Sequence, residues 1–106
     1  MDHNIVIITT TVAKEQEAHK IIQGLLDKRL AASIQTQEIS SSYWEEEKVK
    51  KINEWRIMIK TGRNMLKKTL EELLAIHPYD IPEIIVEDVK THEKYHDWIV
   101  KQMGTC

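Results

Sequence analysis

Residues 30–61, LAASIQTQEISSSYWEEEKVKKINEWRIMIKT, decide how this chain folds. From Leu30 to Trp44 there is no glycine, no proline and no helical stripe of apolar residues, so the segment reads as one extended strand. Glu45-Glu46-Glu47 then meets Lys48-Val49-Lys50-Lys51, acids before bases around a turn. Folded back as a hairpin, the two runs set opposite charges across from each other, each pair contributing roughly 0.2–1 kcal/mol. Ile52 to Thr61 returns as a second strand, with Trp55, Ile57 and Ile59 on one face and Glu54, Arg56, Met58 and Lys60 on the other.

Outward from the hairpin, Ile5-Val6-Ile7-Ile8-Thr9-Thr10 is β-branched throughout, a pattern suited to a central strand covered on both sides. Thr11 is placed to cap the helix that follows. From Ala13 to Lys28 the apolar residues Ala18, Ile21, Ile22, Leu25 and Leu26 form one helical stripe. Gly24 costs that helix about 1 kcal/mol relative to Ala, and close approach to the sheet is its expected reason. After the hairpin, Thr61-Gly62-Arg63-Asn64 breaks the pattern, and Asn64 is the expected cap of a second helix carrying Leu66, Leu70, Leu73 and Leu74 to Ile76. His77-Pro78-Tyr79-Asp80-Ile81-Pro82 cannot be helical, because each proline biases its predecessor toward extended geometry. Glu83 to Glu87 reads as a fourth strand, and Glu93 to Met103 as a last helix with Tyr95, Trp98, Ile99 and Gln102 along one side. The order β-α-β-β-α-β plus a terminal helix predicts an α+β, ferredoxin-like domain over residues 1–106, with a four-stranded antiparallel sheet and two helices on one face.

The 106 residues are 42% hydrophobic and 30% charged, values of a globular chain rather than a disordered one. Fifteen basic against seventeen acidic residues leave a net charge of −2, which argues against general nucleic-acid binding. No apolar run approaches the roughly 20 residues of a membrane span. The N-terminus shows no basic stretch followed by an apolar one, so the expectation is a cytoplasmic protein without a secretory signal. The one cysteine, Cys106, excludes an internal disulfide and is expected to be an exposed reduced thiol.

One copy looks incomplete. A strand from residue 30 to 44 could reach roughly 50 Å, against about 20 Å for an ordinary strand. A helix of about 14 residues covers only about 21 Å of it. The outer hairpin, with Tyr43 and Trp44, is therefore expected to pair with identical subunits, Trp55 joining that interface. The alternative is a kinked hairpin folded over its own sheet.

The segments Leu30-Ala31-Ala32-Ser33-Ile34, Tyr43, Glu54 with Ile57-Met58-Ile59-Lys60-Thr61, His77-Pro78-Tyr79-Asp80-Ile81-Pro82-Glu83-Ile84, and Trp98 resemble the CutA divalent-cation tolerance proteins over about residues 3 to 103. The resemblance implies a ferredoxin-like subunit, a homotrimer built through the long hairpins, a shape similar to the PII signal-transduction proteins, and a role in tolerance of copper or another divalent metal, with no obligatory cofactor and no established reaction. Two departures stand out. Thr9-Thr10-Thr11 occupies the place of the family's cysteine after the first strand, and Glu45 and Glu47 replace a tryptophan and a glycine at the hairpin tip. Trp44 offers an indole on the opposite strand face.

The chain has no nucleophile motif, and its glycines at 24, 62 and 104 form no phosphate cradle. Histidines and carboxylates are the remaining chemistry. His77, Tyr79 and Glu83 in the proline-fixed loop, with Asp80 close by and Lys60 facing them, are the expected metal or ligand cleft between subunits. The bland alternative is that His77 and Tyr79 merely hydrogen-bond across an interface, and that Lys60 pairs with Glu83. His92 and His96, four residues apart, share a helix face and are secondary metal candidates. Three functions follow: a non-enzymatic trimer handling divalent ions, a PII-like module holding an anionic small molecule in its clefts, and, least supported, a hydrolase or transferase using His77 as general base.

Overall fold

The computed structural model describes residues 3–104, so Cys106 lies outside the described residues. The chain runs β1 (Asn4–Val12), α1 (Glu15–Asp27), β2 (Ser33–Glu45), β3 (Lys48–Thr61), one 3₁₀ turn (Arg63–Met65), α2 (Leu66–Ile76), β4 (Ile84–Lys90) and α3 (Glu93–Gln102). The strands form one antiparallel sheet in the order β2-β3-β1-β4. This is the expected α+β, ferredoxin-like arrangement.

Alternation along the strands sorts the residues between two faces. Val6, Ile8 and Val12 of β1 and Ile57 and Ile59 of β3 meet Ala18, Ile21 and Leu25 of α1 and Leu73 of α2 in the main core. The other face is only partly covered. There Ile5 is buried under Ile99 of α3 and Met103, with Val89 and Tyr95 at the edges. Beyond that cover lie Thr9, Arg56, Met58 and Ile85, which line a shallow groove. The carbonyl of Leu30 is buried and accepts from the hydroxyls of both Thr61 (2.9 Å) and Thr69 (2.7 Å), which seats the turn after α1 against β3 and α2.

Local expectations are corrected at three places. β1 continues through Thr11 and Val12, because Arg56 and Trp55 of β3 pair with them. Thr11 is therefore a strand residue, and the N-cap position of α1 falls instead on Lys14, whose N–H donates to the Glu17 carboxylate (3.1 Å). Asn64 does not cap α2; it sits inside the 3₁₀ turn that leads into the helix from Gly62. Gly24 allows close approach to the second helix rather than to the sheet, since a Cβ there would stand 3.2 Å from Ile76 Cδ1.

The hairpin projects as its length demanded. β1 reaches only as far as Trp55, so Lys48 to Glu54 have β2 as their strand partner while the molecule extends to 46 Å along its longest axis. At the tip Trp44 and Val49 are directly paired, 74% and 64% exposed. The two-residue turn Glu46-Glu47 has φ of 49° and 65°, a left-handed conformation that glycine or asparagine adopts more easily. Lys50 reaches diagonally to Glu45 (3.3 Å), which raises its pKa. Trp55, expected at a subunit interface, is half-buried and packs against the chain's own main core, its face continuing that of Ile57 and Ile59.

Candidate functional site

Where the projecting hairpin leaves the sheet, the loop between α2 and β4 folds up beside it. The cleft between them has a volume of about 770 Å³. Thr11 at the end of β1 forms its floor; Tyr43, Glu45 and Glu54 of the hairpin and Tyr79, Asp80 and Glu83 of the loop form its walls. Four of these residues are carboxylates, and among the described residues no Lys, Arg or His lines the cleft.

The loop is held in place by three hydrogen bonds. His77 Nδ1 accepts from the Tyr79 N–H (3.1 Å), so the neutral ring carries its proton on Nε2 and donates it to Thr10 Oγ1 (2.8 Å). Burial depresses the pKa of this imidazole below its ordinary value, opposed by a hydrogen bond with the Thr11 backbone and by the charge of Glu17. The Tyr79 hydroxyl then donates to Glu54 Oε2 (2.7 Å). Burial first, and next the Glu54 carboxylate, push the phenol pKa well above its ordinary value. Glu54 is only 6% exposed, so the phenol supplies what water would otherwise provide.

The sequence-predicted residues separate on this framework. Tyr79 and Glu83 line the cleft, as does Tyr43. His77 does not; both of its ring nitrogens are occupied within the chain, and it acts as the loop's clamp. An Nε2 that already carries a proton cannot remove one from Thr10, so this arrangement gives His77 no general-base role there. Lys60 is also elsewhere. It pairs with Ile7 and Ser33, six residues along β3 from Glu54 and so about 20 Å away, and its ammonium lies 5.8 Å from the Tyr95 ring centre. Within one chain it neither lines this cleft nor pairs with Glu83, because residues sharing a strand face can still lie at opposite ends of it.

His92 and His96 do not come together either. His92 turns back to cap α3, its Nδ1 accepting from the Lys94 N–H (3.0 Å). His96 sits beside Asp97 (3.1 Å) and edge-on to His3, with ring centres 5.4 Å apart. Among the described residues no group of three or more His, Cys, Asp or Glu side chains is placed to hold a metal ion. Sequence reasoning places Asp80 close to His77 in the loop but does not bring Glu54 or Glu45 to the site. The signal for Glu54 was available, since its strand face ends where the loop returns, but the pairing with Tyr79 spans 25 positions and has no local signature.

Comparison with known proteins agrees with this architecture. Residues 6–102 match the profile of the family described as CutA1 divalent ion tolerance protein. A divalent-cation tolerance protein CutA of Thermotoga maritima is 35% identical over 98 residues, covering 90% of this chain and 95% of its own. The crystal structure of the divalent ion tolerance protein CutA1 from Ehrlichia chaffeensis superposes with a TM-score of 0.91 at 29% identity, over 99% of both chains. A structure from Archaeoglobus fulgidus, described as a periplasmic divalent cation tolerance protein CutA, gives 0.87 at 28% identity over 94% of this chain and 98% of its own. With the hairpin, the α2–β4 loop and the terminal helix all inside the matched span, the chain belongs to the CutA1 divalent ion tolerance family.

Proposed function

We propose that this protein takes part in divalent-cation tolerance as a cytoplasmic homotrimer that binds Cu²⁺ or a similar ion with modest affinity and catalyses no reaction. The observation that supports the reading is the charge of the cleft: Glu45, Glu54, Asp80 and Glu83 line it, with no basic residue among the lining residues. Carboxylate oxygens are ligands for divalent ions, and Cu²⁺ stands highest among first-row ions at a given site. The described residues of one chain supply too few close donors, and the overhanging hairpin with exposed Trp44 and Val49 supports a neighbouring copy as the source of the rest. Calorimetric titration of the purified protein with Cu²⁺ is expected to give a saturable site that Glu83→Gln weakens about tenfold, the loss of one charge-assisted contact. Absence of a saturable site at neutral pH refutes the metal reading. A single-chain mass in sedimentation refutes the trimer, and cell fractionation tests the compartment.

A second reading has one observation in its favour. A volume of about 770 Å³ is that of a small-molecule pocket rather than of an ion site. A PII-like ligand in it would have to be cationic, since with Lys60 elsewhere the cleft offers an anion no positive partner. A thermal-shift panel of organic amines, nucleotides and divalent salts separates the two; stabilisation by amines alone supports the second.

A further inference from the structure

The cleft accounts for the acidic end of the sheet. Around the turns that follow α1 and β3 lies a second cavity of about 480 Å³. Lys28, Arg29, Asn64, Lys68, Met103 and Gly104 line it, with cations from the end of α1 and from α2 and no carboxylate among the lining residues.

Arg29 is the unusual member. The N–H of Leu30 donates to Leu25 (2.8 Å) and that of Arg29 to Leu26 (3.0 Å), the paired bonds that end a helix on a left-handed residue. Glycine is the usual occupant of that position, yet here an arginine holds φ at 57°. Its side chain is oriented, Nη1 donating to the Gln102 carbonyl at the end of α3 (2.9 Å). A guanidinium has five N–H donors, so this bond leaves others for a ligand. Lys28 is likewise positioned by Glu72 (2.8 Å) with donors to spare, and among the described residues Lys68 makes no ion pair. Two of the three cations are thus held by their own contacts, and among the described residues Glu72 is the one acid that engages them.

We propose that this basic cavity binds a small phosphate monoester. Three cations lining one cavity suit a dianion better than a monocarboxylate, and the planar fork of Arg29 matches phosphate oxygens. The site is independent of the proposed metal cleft and shares no lining residue with it.

The test is a titration of the ¹⁵N-labelled full chain with ribose 5-phosphate at constant ionic strength, followed by amide chemical shifts. Saturable shifts confined to residues 28–30, 62–68 and 102–104 are expected. Lys68→Glu should weaken binding about tenfold or more, and the hairpin variant Lys51→Glu should bind as the parent does. Arg29→Gly relieves the left-handed backbone but removes the fork; it is expected to stay folded by circular dichroism and lose binding. Unchanged affinity in both Arg29→Gly and Lys68→Glu overturns the proposal. So do shifts spread equally over Lys48, Lys50 and Lys51, equal binding of succinate, or a short DNA duplex binding the same residues more tightly than the monoester. Failure of the Cu²⁺ titration leaves this result unaffected.

Discussion

The hydroxyl of Tyr79 donates to the carboxylate of Glu54 across 2.7 Å, and through that bond the α2–β4 loop is fastened to the root of the projecting hairpin. Both groups need it. Glu54 is nearly buried, and an ionised carboxylate withdrawn from water requires a donor. Tyr79→Phe should therefore destabilise the fold by about 1.5–3 kcal/mol, the range for a hydrogen bond to a charged group. Glu54→Gln keeps an acceptor for the phenol and should cost less. Urea unfolding of the two variants checks the ranking; equal losses would mean that the bond contributes little.

His77 makes stability depend on pH. Its pKa is held below the ordinary 6.5 by burial, so in acid the unfolded chain takes up a proton before the folded chain does. The contribution of His77 is then full above about pH 6.5 and declines as the pH drops toward its folded-state value. Protonation also removes the Nδ1 acceptor that the Tyr79 N–H uses, so the loop loosens with it. His77→Gln is expected to flatten the fall in unfolding free energy between about pH 7 and pH 5. An unchanged slope would show that the imidazole is not the group responsible.

The hairpin turn is strained. Glu46 and Glu47 both occupy left-handed backbone, where a side chain other than Asn or Gly costs about 1 kcal/mol. Replacing them by Asn-Gly should raise stability by about 0.5–1 kcal/mol, since part of the relief is offset by the greater freedom of glycine in the unfolded chain. Thermal unfolding measures it, and a lowered midpoint would point to contacts made by the glutamates that outweigh the strain.

Gly24 gives a prediction with a built-in control. Ala in its place gains about 1 kcal/mol of helix propensity but sets a methyl 3.2 Å from Ile76 Cδ1. The two effects should nearly cancel in the single variant. Ile76→Val removes the Cδ1, so Gly24→Ala is expected to stabilise that background by about 0.5–1 kcal/mol more than it does the parent. Additivity of the two substitutions would show that the contact is slack.

The element order, the two-faced pattern of Ile52 to Thr61 and the overhang of the hairpin were legible along the chain, because each rests on periodicity and length, which are local properties. Turn boundaries were less so: Thr11 has the chemistry of a cap but is claimed by Arg56 across the sheet, and long-range pairing outweighed the local preference. The site was legible only in part. Tyr79 and Glu83 lie in a recognisable loop, whereas the departure of Lys60 from it, the clamp made by His77 and the burial of Glu54 follow from where β3 carries each residue. One sequence therefore determined the fold and the presence of a proline-fixed loop. Which charges meet in the cleft was decided by tertiary structure, because Glu54 and Lys60 share a face in the pattern and are separated only by distance along the folded strand.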